Sequence, residues 1–203
     1  MVTIVSGSTA QLPTGVESAL ASYRHKVFIE ALQWPLPDMD GFERDQFDRD
    51  DTLYVVAREL DGEVCGCARL LPTTRAYLLA EVFPEMMNGA PVPRSHEVWE
   101  LSRFATMPVG TPEPLPREET QARRRQLLGA VVQAALARGA TRLILVTVAG
   151  VERLMRNLGV HAHRAGPPRA VDGKPTLALW LELDAETCRA LGVPVASALV
   201  MRH

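Results

Sequence analysis

The chain has 203 residues, 22 Lys and Arg against 24 Asp and Glu, and a formal net charge of −2. That balance excludes a strongly basic nucleic-acid binder on bulk charge. With 47% apolar and 23% charged residues, the composition is that of a soluble globular protein. The total conceals a division: residues 1–118 carry 10 basic and 18 acidic side chains, whereas residues 119–203 carry 12 and 6. A chain of this length buries a sizeable core without staples, and no linker separates two parts, so one domain over 1–203 is expected.

Cys65, Cys67 and Cys188 are odd in number and make no disulfide framework, which suits a reducing cytoplasm. Met1–Ser8 shows no basic stretch leading into an apolar run, so no secretory signal is expected. The apolar run Leu143–Val151 is far shorter than the roughly 20 residues of a membrane span.

In chain order, Thr14–Leu32 is predicted as an amphipathic helix, with Val16, Leu20, Tyr23 and Val27 on one face. Pro35 and Pro37 end it. Residues 33–51 form an acidic segment with few apolar anchors, expected to be a mobile loop or one ordered by a ligand. Thr52–Glu59 and Glu63–Leu71 are predicted strands, joined at Asp61-Gly62. Tyr77–Ala80 is predicted as a short strand and Phe83–Met87 as a short helix. Glu97–Met107 is strand-like, and the prolines of Val109–Pro116 make that stretch a loop. Glu118–Arg138 is a long helix stopped by Gly139, and Thr141–Ala149 a strand buried on both faces. Val151–Leu158 is a helix, Val160–Arg164 and Thr176–Leu183 are strands, and Asp184 caps a last helix, Ala185–Leu191. The alternation gives an α/β sandwich with a mixed sheet.

Four clusters could carry chemistry. Arg24 and Phe28 share a helix face, with Trp34 following; together they could hold a carboxylate beside an aromatic wall, or be core and a solvated arginine. Asp45 and Asp48, within Glu43–Asp48, could converge on a cation, or be a solvated acidic run. In Trp99-Glu100-Leu101-Ser102-Arg103-Phe104 a plain strand would send Glu100 and Arg103 to opposite faces, so a bulge re-aims one or they serve different places. A structural ion pair of Glu100 with Arg69 is the plainer alternative. Arg123, Arg124 and Arg125 near the start of the long helix oppose its dipole, so an acidic partner or a solvated face explains them. Arg153 and Arg156 are a similar case. His161 and His163 alternate on a strand without acidic companions at ligand spacing, so no metal is expected. Ser102 lacks the context of a nucleophile elbow.

The ordered set Arg24, Phe28, Trp34, Asp45, Asp48, Arg69, Glu100, Arg103 resembles the signature of the acyl-homoserine-lactone synthases, which make the autoinducers of bacterial quorum sensing. The best matches are Tyr23–Phe28, Gly41–Asp48 and Trp99–Phe104, and the similarity continues through Val146–Val148 and Gly150–Arg153. The resemblance implies a three-layer αβα sandwich, N-acetyltransferase-like, with a mixed sheet split by a V-shaped cleft. It implies an acyltransferase that joins S-adenosylmethionine, as substrate rather than cofactor, to an acyl chain on acyl carrier protein. The chain is most similar to the branch making octanoyl-homoserine lactone. A monomer in the bacterial cytoplasm is expected, with no nucleic acid, membrane, cofactor or metal.

On this resemblance Glu100 is the base, and Arg24, Phe28, Trp34, Asp45, Asp48 and Arg103 bind S-adenosylmethionine, with Arg24 and Arg103 holding its carboxylate or the acidic loop. Arg69 and Ser102 support the site. Leu101, Phe104, Val146, Thr147, Val148, Met155 and Leu179 line the acyl pocket. Arg123, Arg124, Arg125, Arg153 and Arg156 receive acyl carrier protein. Main-chain N–H groups near Phe104–Ala105 polarise the thioester. The charge division then matches two substrates of opposite sign. An acyl-CoA-dependent N-acetyltransferase acting on another amine is the alternative, and a ligand-sensing module with this fold is a third reading.

Overall fold

The computed structural model describes residues 2–109 and 115–194. The elements run β1 (Thr3–Gly7), α1 (Val16–Arg24), a π-helical turn (His25–Ala31), β2 (Leu53–Arg58), β3 (Val64–Pro72), α2 (Leu78–Val82) and β4 (Val98–Ala105). They continue with α3 (Arg117–Leu136), β5 (Arg142–Val148), α4 (Ala149–Leu158), β6 (Ala162–Arg164), β7 (Arg169–Val171), β8 (Lys174–Glu182) and α5 (Ala185–Leu191). The strand order is β1-β2-β3-β4-β5-β8-β6, with β7 on β8. β4 and β5 pair in parallel, whereas β1–β2, β5–β8, β6–β8 and β7–β8 are antiparallel, so the sheet is mixed. No helix among the described residues is long and apolar enough to cross a membrane.

The chain divides into two compact units, each drawn from two stretches: Met1–Arg69 with Arg103–Ala130, and Leu70–Ser102 with Val131–His203. In the first unit the predicted helix face is the one that packs. Val16, Leu20, Tyr23 and Val27 are buried with Phe28, Tyr54, Val56 and Cys67 in one apolar cluster. The helix does not stay α-helical to Leu32. From His25 it widens into a π turn, and the Leu32 N–H donates to the Val27 carbonyl five residues back. The Asp61-Gly62 turn joins β2 to β3, and the Asp61 carboxylate accepts the Glu63 N–H. An unforeseen strand, β1, pairs with β2 from Thr3↔Arg58 to Gly7↔Tyr54.

In the second unit β5 and β8 pair over Arg142–Val148 and carry its core. Leu143, Ile144, Leu145, Leu177, Leu179 and Leu181 are all buried. The expectation of a strand buried on both faces holds for the first half of β5, while Val146 and Thr147 are half-buried and Val148 is exposed. The parallel register joins Val98–Glu100 to Arg142–Ile144 and stops there, although both strands run on. The sheet therefore opens beyond Glu100. Gly159 ends α4 in a left-handed conformation (φ 75°), which a residue without a Cβ adopts at little cost.

Two local expectations are corrected. Tyr77–Ala80 is not a strand: residues 78–82 are helical, because the Glu100 carboxylate accepts the N–H groups of Leu78 and Leu79 and supplies a cap that a local reading cannot foresee. The segment 165–175 holds a further strand, β7, turned back onto β8 through Asp172 and Gly173, both at positive φ. β4 runs unbroken over Val98–Ala105, with Arg103 at positive φ within it. Much of the proline-rich loop expected at 109–116 falls on 110–114, outside the described residues.

Candidate functional site

The first unit brings together Arg24, Asp45, Asp48, Arg69 and Arg103, and adds Glu43. Arg24 leaves the end of α1 only 2% exposed. Its guanidinium donates Nε–H to Glu43 Oε2 at 2.5 Å and both Nη groups to Asp48, at 2.8 and 3.0 Å. Arg103 donates from Nη2 to Glu43 Oε1 and to Asp45 Oδ2, each at 2.9 Å. Arg69 donates from Nη1 to Asp45 Oδ1 at 2.5 Å and Asp48 Oδ1 at 3.1 Å. The Tyr54 hydroxyl donates to Asp48 Oδ1 at 2.8 Å. Each carboxylate thus meets two arginines, and each arginine two carboxylates. Planar forks suit such sharing, because one guanidinium presents several donors in a fixed plane.

Burial penalises charge, so these groups keep theirs only because of one another. Burial alone would raise the Asp48 carboxyl, but the bonds and charge of Arg24 outweigh it and hold the group well below the usual carboxylate range. Glu43 is lowered in the same way, burial opposing and Arg103 and Arg24 prevailing. Burial also opposes the charge on Arg24 and on Arg69, and their carboxylate partners push both further above the ordinary arginine range.

The acidic segment is therefore not a mobile or ligand-ordered loop. Its carboxylates bind arginines of the chain itself. Its backbone is fixed too: the Glu43 N–H donates to the Ala21 carbonyl, the Asp45 N–H to Asp48 Oδ2 and the Phe47 N–H to Asp45 Oδ1. Of the two roles expected for Arg24 and Arg103, these contacts are with the acidic segment. The Asp45 side chain is 16% exposed, against 9% for Asp48 and 1% for Glu43, so Asp45 is the carboxylate most open to a ligand.

The aromatic residues frame the network. The Phe28 and Trp34 rings lie 4.9 Å apart, and the Arg103 guanidinium is 5.4 Å from the Phe28 centroid and 5.8 Å from that of Trp34. The π turn contributes: the Trp34 N–H donates to the Phe28 carbonyl, holding the chain as it leaves the helix. Phe28 is buried, whereas Trp34 keeps 37% of its surface exposed. Arg69 lies 5.7 Å from the Phe47 ring on another side.

Arg103 reaches the network by a backbone irregularity. Its φ is +52°, a left-handed conformation inside a strand, which costs on the order of 1–3 kcal/mol and persists only where surrounding contacts hold it. One such contact is the Cys67 thiol, which donates to the Arg103 carbonyl at 3.1 Å. Burial pushes that thiol up to about 12, so it stays protonated and able to donate. Gly66 beside it admits the Ala105 carbonyl, which would lie 3.1 Å from an added Cβ. The re-aiming expected from the spacing of Glu100 and Arg103 is present, and it falls on Arg103.

Glu100 belongs to the second unit and is fully buried. Its two oxygens accept the main-chain N–H groups of Leu78 (2.9 Å) and Leu79 (2.6 Å). Ser102 is buried in the same unit, as are Leu101, Met155 and Leu179, which were expected to line an acyl pocket. Phe104 belongs to the first unit and is half-buried. Of the basic residues expected to dock a carrier protein, Arg123 makes ion pairs with Glu59 and Glu119 and its side chain is 12% exposed. Arg124 is half-buried, and Arg125, Arg153 and Arg156 are exposed.

Residues 14–191 match the family model described as autoinducer synthase. The chain is 56% identical over 200 residues to the acyl-homoserine-lactone synthase of Ralstonia solanacearum, covering 98% of this chain and 97% of that protein. The chain belongs to the autoinducer synthase family. It is an acyltransferase of the acyl-homoserine-lactone synthase type. It is also similar to TofI in a ternary complex with an inhibitor and MTA (47% identity, TM-score 0.84, 96% of this chain and 98% of that one). BjaI, a CoA-dependent acyl-homoserine lactone synthase with SAM and isopentyl-CoA, matches at 26% identity and TM-score 0.81, over 96% and 90% of the two chains. An acyl-CoA N-acyltransferase from Pseudomonas aeruginosa, 19% identical with a TM-score of 0.57 over 89% and 99%, shares the fold, which is N-acetyltransferase-like.

Three residues of this autoinducer synthase escaped the sequence reading. Glu43 bridges Arg24 and Arg103; its signal was its place in the same run as Asp45 and Asp48. Tyr54 and Cys67 sit on strands among apolar residues, and nothing local marks the hydrogen bonds they make to Asp48 and Arg103.

Proposed function

We propose that the chain joins S-adenosylmethionine to a medium-chain acyl group, octanoyl, carried on acyl carrier protein. The products are an N-acyl-L-homoserine lactone, methylthioadenosine and holo-acyl carrier protein. The observation that carries this reading is Trp34: an indole 37% exposed, beside Phe28 and a fixed set of carboxylates. A ring face attracts a sulfonium and stacks on a purine. Asp45, the most open carboxylate of the network, faces the α-ammonium or sulfonium. The MTA complex of TofI supports a nucleoside site in this family.

The substrate ammonium must lose a proton before it can attack, and a free α-amino group has a pKa of about 7.7–8.0. Glu100 takes that proton, directly or through a water, while the Leu78 and Leu79 N–H groups hold its carboxylate in place. The amine nitrogen attacks the thioester carbonyl, the C–S bond breaks, and the carrier thiolate leaves with a proton. The methionine carboxylate then attacks its own γ-carbon, and that C–S bond breaks with its electron pair going to the sulfonium. Methylthioadenosine departs as a neutral thioether, so this step needs no acid.

Chain length is read by Leu101, Phe104, Val146, Thr147, Val148, Met155 and Leu179, with Thr147 able to meet an oxygen at C3. One methylene is worth about 1–3 kcal/mol of discrimination. Arg124, Arg125, Arg153 and Arg156 meet the acidic carrier protein through long-range attraction. A thioester on CoA is the second reading, favoured by the CoA-dependent BjaI. The test is to supply S-adenosylmethionine with octanoyl-acyl carrier protein or octanoyl-CoA and identify the lactone by mass spectrometry. Product mainly from the carrier protein is expected. Product mainly from CoA overturns the donor, and none from any butanoyl to tetradecanoyl donor overturns the reading.

A further inference from the structure

The second unit carries a cluster of metal-ligating side chains that the reaction does not use. His161 lies just before β6, and its Nδ1 is 2.6 Å from Asp184 Oδ2. Glu186, in the first turn of α5, adds a third donor. One ligand atom from each of the three lies within 4.8 Å of the others. The His161 and Asp184 side chains are 45% and 41% exposed and Glu186 is exposed, and a cavity of about 290 Å³ is lined by Arg142, His161, His163, Glu182 and Asp184 among others. The acidic companions that His161 lacks along the sequence are supplied by a different element.

Two of the donors are preplaced by the same buried residue. The Thr187 N–H donates to Asp184 Oδ1 at 3.0 Å, and the His161 N–H donates to the Thr187 hydroxyl at 3.1 Å. Thr187 is fully buried. The main chain at His161 and the Asp184 carboxylate are therefore both tied to Thr187, and Asp184 Oδ2 faces the imidazole. Outer hydrogen bonds of this kind orient metal ligands. Metal–nitrogen and metal–oxygen bonds of about 2.0–2.2 Å place tetrahedral ligands roughly 3.3 Å apart. His161 and Asp184 stand at 2.6 Å, a hydrogen-bond contact that must open by about 0.7 Å to admit an ion, and an exposed Glu186 side chain supplies the third donor within 4.8 Å.

The charge favours a cation. Glu182 is engaged by Arg142 at 2.7 Å and by His163 at 2.9 Å, which leaves the carboxylates of Asp184 and Glu186 to set the local sign. The contact between His161 Nδ1 and Asp184 Oδ2 marks the place a cation would take. One imidazole nitrogen with two carboxylate oxygens suits zinc and its late first-row neighbours better than calcium or magnesium, which favour all-oxygen sets. His163 has its ring centroid 6.3 Å from that of His161.

We propose that His161, Asp184 and Glu186 form a binding site for a late first-row divalent cation such as Zn²⁺, with the fourth position open to water or His163. Binding ties the segment before β6 to the start of α5. The test is titration of the full chain with Zn²⁺, followed by calorimetry, proton release and thermal unfolding. One equivalent is expected to bind, with release of a proton and a rise in Tm. His161→Ala and Glu186→Gln are each expected to weaken binding at least about tenfold. His96→Ala, an exposed histidine elsewhere in the unit, leaves it unchanged. Absence of any response at millimolar Zn²⁺ overturns the proposal, as does undiminished affinity in both His161→Ala and Glu186→Gln.

Discussion

The two units bury carboxylates in different ways. In the first, Glu43, Asp45 and Asp48 are matched charge for charge by Arg24, Arg69 and Arg103. In the second, Glu100 is met by two main-chain N–H groups at the start of a short helix. A balanced side-chain network fixes the course of an otherwise apolar-poor segment, because each ion depends on its partners to remain buried. Two main-chain donors cap the start of α2 and fix where the Glu100 carboxylate sits. The first arrangement orders a whole segment and the second positions a single carboxylate.

Breaking the network should give the largest loss. Arg69→Met leaves Asp45 and Asp48 short of a partner and is expected to cost about 3–5 kcal/mol in urea unfolding. Acid should act on the same groups. Asp48 and Glu43 have lowered pKa values in the folded chain, so their contribution is complete above the unfolded carboxylate range near pH 4 and fades as pH falls below it. The acid-unfolding midpoint of Arg69→Met should accordingly move to higher pH. Glu100→Ala removes the acceptor for two N–H groups and is expected to cost about 1–3 kcal/mol, less than the network variant. If it costs more than Arg69→Met, the contrast between the two regions fails.

Smaller effects sharpen the picture. Cys67→Ala removes the donor to the Arg103 carbonyl and should cost about 1 kcal/mol beyond Cys67→Ser, which retains a donor. Equal stabilities would show that the thiol does not hold the left-handed turn. Reversing charge at Arg124 and Arg125 should change stability by no more than about 0.5 kcal/mol. It should still raise KM for acyl carrier protein at low salt, and leave KM for S-adenosylmethionine unchanged.

What the sequence revealed followed the range of the interactions involved. The Val16–Val27 face, the Asp61-Gly62 turn and the Asp184 cap rest on neighbours in the chain, and all are present. The helix at 78–82 depends on a carboxylate more than twenty residues away, so local propensity read it as a strand. β1 is a short edge strand with Ser and Thr among its five residues, too brief to give a pattern. The arginine partners of Asp45 and Asp48 lie 21 to 58 residues away, and a charge run alone cannot choose between solvent, ligand and such partners. The left-handed Arg103 was legible only as a conflict, two charges on one strand aimed at different faces.

The chemical role of Glu100 carries the account, and the rate of methylthioadenosine release by Glu100→Gln at saturating S-adenosylmethionine and octanoyl-acyl carrier protein tests it most directly. The amide still accepts a main-chain N–H but does not serve as a base. A fall of about 10²–10⁴ in rate is expected, with KM for S-adenosylmethionine near that of the unmodified chain. An unchanged rate would contradict the assignment and leave Glu100 as a cap of α2.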